Sequence, residues 1–153
     1  MSSAKTIVLK GHGVRSEALA SVAVTPGMLV IEESTGKVKP HNVAGGNARA
    51  IVAVEDDLQG RAISTDYAIG DLVQYNAMAP GDECNMLLAN GSVTAIGSML
   101  ESAGDGTLQV HVADTQSDAN VTQQVLFVAR EAVDMSDSSG ADPATARVAV
   151  AVI

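Results

Sequence analysis

The sequence predicts a compact, mostly β domain built as a barrel or a sandwich, and three observations support this class. Turn signals made of Gly, Pro, Asn and Asp recur about every eight to twelve residues, with short apolar segments between them. Val and Ile, whose branched side chains pack well on a pleated sheet, are frequent in those segments. Trp is absent, and the only aromatic residues are Tyr67, Tyr75 and Phe127, so aliphatic side chains must fill the core.

The first half of the chain predicts short strands separated by tight turns. Segments 28–33 and 37–39 flank the turn at Ser34-Thr35-Gly36 and form a predicted hairpin. A further apolar strand is expected over 49–54. The acidic segment that follows ends at Gly60, which predicts one helical turn closed by that glycine. We also expect a short strand at residues 62–63, and a turn at Gly70-Asp71 that enters a strand ending at Tyr75.

The second half continues the pattern. Asn90-Gly91 is the strongest two-residue hairpin signal, and it is expected to join strands 84–89 and 92–96. The turn Gly104-Asp105-Gly106 is expected to join strands 98–102 and 107–112. Helix and strand both fit 121–133, and its β-branched and aromatic residues favour strand. The remaining expectations are loops at 114–120 and 135–144, and a final strand at 147–153 buried on both faces.

Charge divides the chain unevenly. The net charge of the chain is −9. The first fifteen residues carry +3, because their only charged residues are Lys5, Lys10 and Arg15. The other 138 residues therefore carry −12. This predicts an extended basic arm over residues 1–16 and a single acidic β domain over 17–153. A solvated tail without a role fits the same charges. In the apolar strand of this arm, Ile7 and Leu9 face one side, and the strand pairs within its own sheet or on a neighbouring chain.

Composition also limits compartment and partners. The lone Cys84 cannot form an internal disulfide, so the fold does not depend on oxidation. The first ten residues lack the apolar core and cleavage site of a signal peptide, and no segment approaches the roughly 20 apolar residues of a membrane span. The acidic body repels nucleic acid and anionic membrane. Synthesis in a cytoplasm, with no nucleic-acid or membrane partner, is therefore expected.

The residues do not predict catalysis, a metal site or a cofactor. His12, His41 and His111 are far apart in sequence and are expected at the surface, and no metal-ligand spacing appears. Cys84 lies beside Asp82 and Glu83, which disfavour its thiolate, so a buried or half-buried structural thiol is expected. Two acidic turns could offer oxygen ligands, but neither matches a calcium loop. The first of these turns contains Asp105, and the second contains Asp134, Asp137 and Asp142.

One phrase suggests a carrier domain. Gly70-Asp71-Leu72-Val73 resembles the hammerhead turn of biotinyl and lipoyl carrier domains, which present a modified Lys at a hairpin tip. The stretch after Val73 contains no Lys, and all four lysines lie at or before position 39. The carrier hypothesis therefore fails on its essential residue.

Four phrases together resemble the head-decoration, or capsid cement, proteins of tailed bacteriophages. The phrases are 25–30 (TPGMLV), 67–73 (YAIGDLV), 88–91 (LANG) and 97–107 (GSMLESAGDGT), and the likeness spans roughly residues 5–153. The resemblance implies a β-tulip fold and a homotrimer that stabilises the shell from the outer surface of the phage head. It also implies an N-terminal arm that contacts the major capsid protein. The candidate contact residues are Lys5, Ile7, Leu9, Lys10, His12 and Arg15.

The sequence therefore favours a structural virion protein, made in the host cytoplasm, that breaks no bonds itself. The first alternative is a carbohydrate- or protein-binding β module of a phage tail or cell surface, for which only Tyr67 and Tyr75 could stack on a sugar. The second alternative is a β-fold enzyme whose site is assembled between subunits. Both alternatives remain compatible with the sequence.

Overall fold

The computed structural model describes residues 5–112, 124–136 and 145–153, and these residues form an almost entirely β structure. The only helical element among them is a 3-10 turn at Asp57–Gln59, so the expected all-β class is confirmed. None of the described helical structure has the length and apolar character to cross a membrane. The strands are β1 Val8–Lys10, β2 Val14–Leu19, β3 Val30–Glu32, β4 Val38–Pro40, β5 Ile51–Ala53, β6 Leu72–Ala77, β7 Glu83–Ala89, β8 Val93–Thr94, β9 Met99–Ser102, β10 Leu108–Val110, β11 Phe127–Ala129, β12 Val133–Asp134 and β13 Thr145–Val152.

Five strands close into a mixed barrel. The ring runs β7-β10-β9-β11-β13 and returns to β7, because β13 pairs with β7 along seven consecutive residue pairs. Only the β7–β10 contact is parallel, and the other contacts of the ring are antiparallel. β10 borders the end of β7 at Leu88, while β1 borders its beginning at Cys84. Both edges of β7 are therefore in use.

Inward-facing aliphatic side chains fill the barrel. Leu100, Leu108 and Phe127 are fully buried there, together with Met86 and Leu88 of the central strand. In β13 the three valines at 148, 150 and 152 are buried, and the alanines between them are half-buried. The expectation that this strand is buried on both faces is wrong, because successive side chains point to opposite sides and only one side faces the core.

A second, smaller layer packs beside the barrel. β2, β6 and β5 form an antiparallel sheet, and β3 and β4 form the hairpin expected around Ser34-Thr35-Gly36. The layer has its own buried cluster of aliphatic side chains around Tyr67 and Tyr75. The turn at Gly70-Asp71 enters β6 as expected, and Tyr67 bridges to Val24 just before it.

Arg147 of β13 connects the barrel to the loops of the smaller layer. Its guanidinium donates to the carbonyl oxygens of Pro26 at 2.9 Å and Ile63 at 2.7 Å. Burial lowers the pKa of Arg147. Gly27 has a φ of 94°, and a Cβ there would lie 2.4 Å from Nη1 of Arg147. Glycine at 27 thus permits both the turn and the close approach of the arginine.

The N-terminal segment is built into this fold. Ile7 is fully buried in the barrel cluster, its N–H donates to a carboxylate oxygen of Glu55 at 3.1 Å, and its carbonyl accepts from Asn85 at 2.7 Å. The strand therefore pairs within its own sheet, which was one of the two expected pairings. The expected boundary between residues 16 and 17 falls inside β2 (Val14–Leu19), so residues 5–16 are not a free extension in this structure. Residues 1–4 lie outside the described residues.

The turns expected from the sequence form more often than the expected strand pairings do. The turn at Asn90-Gly91 forms, but the expected hairpin of 84–89 with 92–96 is wrong, because β8 pairs with β12 instead of β7. β10 and β13 already occupy the adjacent edges of β7, which leaves no room for β8. The Gly104-Asp105-Gly106 turn does join β9 and β10 as expected.

The remaining local expectations have mixed outcomes. Gly60 closes the turn at Asp57–Gln59 in the left-handed conformation, with φ of 70°, as expected. The short strand expected at 62–63 is wrong, since a turn forms at this place. The described part of 121–133 contains the strands β11 and β12, so strand was the correct choice. The loop expected at 114–120 and most of the one at 135–144 lie outside the described residues.

The position of Ile7 gives a stability prediction. Ile7→Ala removes buried methyl groups from a closed core and is expected to lower the free energy of unfolding by about 2–5 kcal/mol. Ile69→Ala is the matched control, because Ile69 is 72% exposed and its truncation leaves no cavity. Urea denaturation of the two variants measures the difference. Equal stabilities would show that residues 5–10 do not pack in the barrel.

Candidate functional site

The predicted contact residues lie on one continuous segment but differ in exposure. Lys5, Lys10, His12 and Arg15 are exposed, and Leu9 is half-buried. Ile7 faces the core, as described above, so it supports this surface from beneath. The segment therefore offers a partner its basic and polar side chains and part of Leu9, while the contact role of Ile7 would require it to leave the core.

Lys10 lies within an acidic and basic cluster around Glu83. The Lys10 ammonium is 2.9 Å from one carboxylate oxygen of Glu83, and Nε of Arg130 is 3.5 Å from the other. The hydrogen bond from Lys10 is the main reason that the pKa of Glu83 lies below its usual value. The Lys10 side chain is 73% exposed, so the pair is largely screened and leaves Lys10 accessible to another acidic group.

Arg15 connects β2 to the 3-10 turn. Its Nη2 donates to Asp57 at 2.8 Å, and its Nε donates to the side-chain oxygen of Gln74 at 3.2 Å. The hydrogen bond from Arg15 lowers the pKa of Asp57 and raises that of Arg15 itself. Both side chains are about half exposed, so the pair orients the guanidinium more than it stabilises the fold.

A shallow depression lies between this segment and the turn after β5. Its volume is about 260 Å³, and its walls carry basic side chains from the N-terminal segment and acidic ones from the turn after β5. The depression has the mixed charge of a docking surface and lacks an enclosed shape. Its lining residues are Thr6, Val8, Gly11, His12, Arg15, Val54, Glu55, Asp57 and Asn76.

Cys84 is a buried thiol, as expected. Its side chain points into the barrel from β7, and burial raises its pKa to about 12, with smaller contributions from Asp82 and Glu83. A neutral, inaccessible thiol is a poor nucleophile. Cys84 therefore packs as a small apolar residue.

A buried histidine–serine pair was not expected from the sequence. His41 is 1% exposed, which makes its expected surface position wrong. Its Nδ1 lies 2.6 Å from the hydroxyl oxygen of Ser102, and its Nε2 lies 3.0 Å from the carbonyl oxygen of Asn47. Ser102 is also fully buried, so no substrate reaches the hydroxyl, and the pair joins the loop after β4 to the end of β9.

Glu101 is a buried carboxylate with two partners. It accepts from Nε2 of Gln109 at 3.0 Å, and it lies 2.7 Å from Nδ1 of His111. Because these two groups satisfy the carboxylate, it has no free oxygen aimed at a ligand-sized space. The group is a structural network on the β9–β10 hairpin.

The described carboxylates of the acidic turns bind their own backbone. Asp105 accepts from the N–H of Thr107 at 3.0 Å, and Asp134 accepts from the N–H of Ser136 at 2.9 Å, so both carboxylates stabilise their own turns. Within the described ranges, no group of three His, Cys, Asp or Glu side chains could hold a metal ion. Asp137 and Asp142 lie outside those ranges.

The aromatic side chains are not available for sugar stacking. Tyr67 and Tyr75 are 1% and 6% exposed, and Phe127 is fully buried in the barrel. The hydroxyl of Tyr67 donates to the carbonyl oxygen of Val54 at 2.7 Å, and burial raises the pKa of Tyr67 to about 12. The carbohydrate-binding alternative thus loses the two residues on which it depended.

A groove of about 760 Å³ lies beside β3 and β5. Ile31 and Ile51 contribute apolar surface, and the ion pair of Arg49 with Glu32, 3.2 Å long, lies at its side. The lining contains neither a histidine nor a cysteine, so it offers no nucleophile–base pair. The groove could not be expected from the sequence, because β3 and β5 meet only in the folded chain.

Comparisons with known proteins show a fold likeness. The sequence matches no protein-family model, and no curated protein matches it in sequence. Among solved structures, the chain is similar to the N base of the head fiber gp8.5 of bacteriophage phi29, with a TM-score of 0.55 and 16% sequence identity. The likeness covers 93% of this chain and 95% of the head fiber base. At this identity the likeness establishes the shared fold.

The environment of Cys84 gives a pH prediction. The pKa of the Cys84 thiol is 9.0 in the unfolded chain and about 12 in the fold. The neutral thiol therefore contributes to the free energy of unfolding, and this contribution is fully present below pH 9. This contribution is lost as the pH rises from 9 towards 12. Cys84→Val is therefore expected to flatten the alkaline part of the stability curve, measured by urea denaturation between pH 8 and about 11. Burial also raises the pKa of Tyr67 and of Tyr75, and both contribute to the slope that remains. An unchanged slope would contradict the buried, neutral thiol.

Proposed function

We propose that this protein is a structural component of a phage head, and that it acts by binding other proteins. The observation that carries the proposal is the likeness to a head fiber base, which extends over nearly the whole of both chains. The described residues agree with a binding role, since the thiol of Cys84 and the His41–Ser102 pair are buried, and exposed charges line a shallow, open surface. The protein is accordingly proposed not to be an enzyme.

The finer proposal is a cement protein on the outer surface of the shell. A protein that contacts several shell subunits binds the assembled head better than free subunits, so mass action stabilises the assembly. A homotrimer at threefold positions would multiply weak contacts through effective concentration. Exposed apolar side chains on several loops, such as Ile96 and Ile69, provide surface that such contacts could cover.

The proposed partner is the major capsid protein, and the proposed contact surface is the N-terminal segment. Lys5, Lys10 and His12 present exposed side chains along this segment, and Leu9 is half-buried. The ammonium of Lys10 can exchange its screened pair with Glu83 for an acidic group on the shell. Since Ile7 is buried beneath the segment, the surface is held in place before binding, which lowers the entropic cost of docking.

Electron microscopy of heads tests the proposed function. Purified protein mixed with heads of the phage that encodes it is expected to add regular density to the outer surface, with threefold symmetry if the trimer proposal holds. Heads mixed with an unrelated acidic protein of similar size provide the control. Bare heads after mixing, together with absence of the protein from purified virions, would overturn the proposal. Density without threefold symmetry would overturn only the trimer.

Charge reversal tests the contact surface. Lys5→Glu combined with Lys10→Glu is expected to weaken binding to heads by about tenfold or more, because both changes place like charges against an acidic partner. Lys37→Glu is the control, since it changes one lysine at the exposed tip of the β3–β4 hairpin, away from the segment. Co-sedimentation across a salt series measures both. Equal binding by the double variant and the control would show that another surface meets the shell.

A further inference from the structure

The outer edge of β2 is an open strand edge. β2 (Val14–Leu19) pairs along its whole length with β6, and among the described residues no strand pairs with its other side over residues 14–18. Five of its six residues are exposed, and Ala18 is half-buried. From Leu19 onwards the edge is closed, because Ala20 forms a parallel bridge with Val38, which engages the backbone groups of the residues on either side of Ala20.

The direction of the backbone groups on this edge follows from the neighbouring hydrogen bonds. The N–H of Ala20 donates to the carbonyl of Asp71 at 2.9 Å, towards the β6 side, whereas the N–H of Ser21 donates the opposite way to Val38. Because the direction alternates along a strand, Ser16 and Ala18 bond to β6. The N–H and C=O groups of Arg15 and Glu17 therefore point to the open edge.

This edge lacks most of the features that prevent strands from pairing, and the two charges that it carries, on Arg15 and Glu17, have opposite signs. β2 contains no Lys and no Pro, and its register with β6 is regular from end to end without a bulge. Its end residues are apolar and exposed, with Val14 at 69% and Leu19 at 47%. An unprotected edge of this kind is typical of a strand that is covered in the assembled state.

We propose that a second copy of this chain covers the edge with its own β2, antiparallel and related by a two-fold axis that passes beside Ser16. In this register Arg15 faces Glu17 of the second copy, and Glu17 faces Arg15 of the second copy. Each pair exchanges backbone hydrogen bonds through the groups that point to the open edge. Val14 faces Ala18 of the second copy, which covers exposed apolar surface. The two three-stranded sheets join into one sheet of six strands.

The charge pattern selects this register among its neighbours. Antiparallel pairing through the outward-facing groups permits only registers that differ by an even number of residues. A two-fold axis at Arg15 would place two arginines opposite each other, and an axis at Glu17 would place two glutamates opposite each other. Both arrangements are disfavoured, since like charges directly opposite destabilise a strand pair. Only the axis at Ser16 gives opposite charges twice.

Each charged side chain can reach its new partner without unfolding. Arg15 and Glu17 both hold Gln74 at present, at 3.2 Å and 3.0 Å, and lie on the same side of β2. Directly opposite residues have Cβ atoms about 5 Å apart, within reach of both chains. Arg15 is thereby assigned to contact between copies, whereas Lys5 and Lys10 stay free for another partner.

The inference does not depend on the proposed function. A contact of two short strands is weak for free molecules and gains strength when neighbouring copies are held close together. A two-fold contact and a threefold contact can coexist in one assembly, because they use different surfaces. The tests below use free protein, so their failure would leave the proposal about phage heads standing.

Disulfide formation tests the two-fold axis. In the proposed register Ser16 faces Ser16 of the second copy as a non-hydrogen-bonded pair, with Cβ atoms about 4.5 Å apart, which suits a disulfide. Ser16→Cys is expected to form a covalent dimer on mild oxidation, with a yield at least about fivefold above that of Ser34→Cys. Ser34 is an exposed residue at the tip of the β3–β4 hairpin, and Cys84 is buried in both variants. Equal yields at every protein concentration would overturn the proposal.

Charge exchange tests the register. In the Ser16→Cys background, Arg15→Glu alone is expected to lower the dimer yield about fivefold. The reason is that the new carboxylate at position 15 faces Glu17 of the second copy, and the two-fold axis creates two such like-charge pairs. Glu17→Arg alone should act similarly, and the double exchange Arg15→Glu with Glu17→Arg should restore the yield. Recovery in the double variant would not follow from a merely structural role of Arg15 beside Asp57. Loss without recovery would overturn the register.

Hydrogen exchange tests the unmodified protein. The amides of Arg15 and Glu17 are expected to exchange quickly in dilute protein and to slow at least about fivefold as concentration rises, while those of Ser16 and Ala18 stay protected throughout. NMR resolves these four amides individually. A rate for Arg15 and Glu17 that does not change with concentration would overturn the proposal, whatever the behaviour of the substituted variants.

Discussion

The pairing of β13 with β7 is the constraint on which the rest of the structure depends. It closes the barrel through seven residue pairs and fixes one edge of β7. The other edge is then divided between β1 and β10, so the N-terminal segment has a place only beside the beginning of β7. Arg147 on the same strand reaches the loops of the smaller layer. One strand thus positions the barrel, the N-terminal segment and the second cluster together.

Local signals predicted much of the fold, and distant pairing limited the rest. The hairpins β3–β4 and β9–β10 were predictable because a turn of Gly and polar residues lies between adjacent apolar strands. The strand after Asn90-Gly91 could not be assigned its partner, since the turn says nothing about which edges β10 and β13 already occupy. The burial of His41 likewise depends on Ser102, sixty-one residues away, and no pattern in the sequence links the two.

The site shows the same division. Charge alone identified Lys5, Lys10 and Arg15 as a distinctive basic group, and the structure does place these side chains at the surface. Charge could not reveal that Arg15 and Glu17 lie on an open strand edge, or that Ile7 is a core residue, because both depend on pairing with remote strands. The pairing of remote strands therefore decides which residues lie on the surface of this protein, and the sequence predicts only the charge that those residues carry.

The long separation between paired strands also affects how the chain reaches this structure. β13 and β7 pair across an intervening loop that contains β8 to β12, so the ring forms only after a costly loop closure. A topology rich in such remote pairings belongs to slow folders, in the range of milliseconds to seconds. The nascent barrel therefore exposes strand edges and apolar surface for a comparatively long time, when crowded neighbours and chaperones compete for them. Once joined, the five strands leave no end of the ring from which unzipping can start, which favours a long lifetime of the folded state.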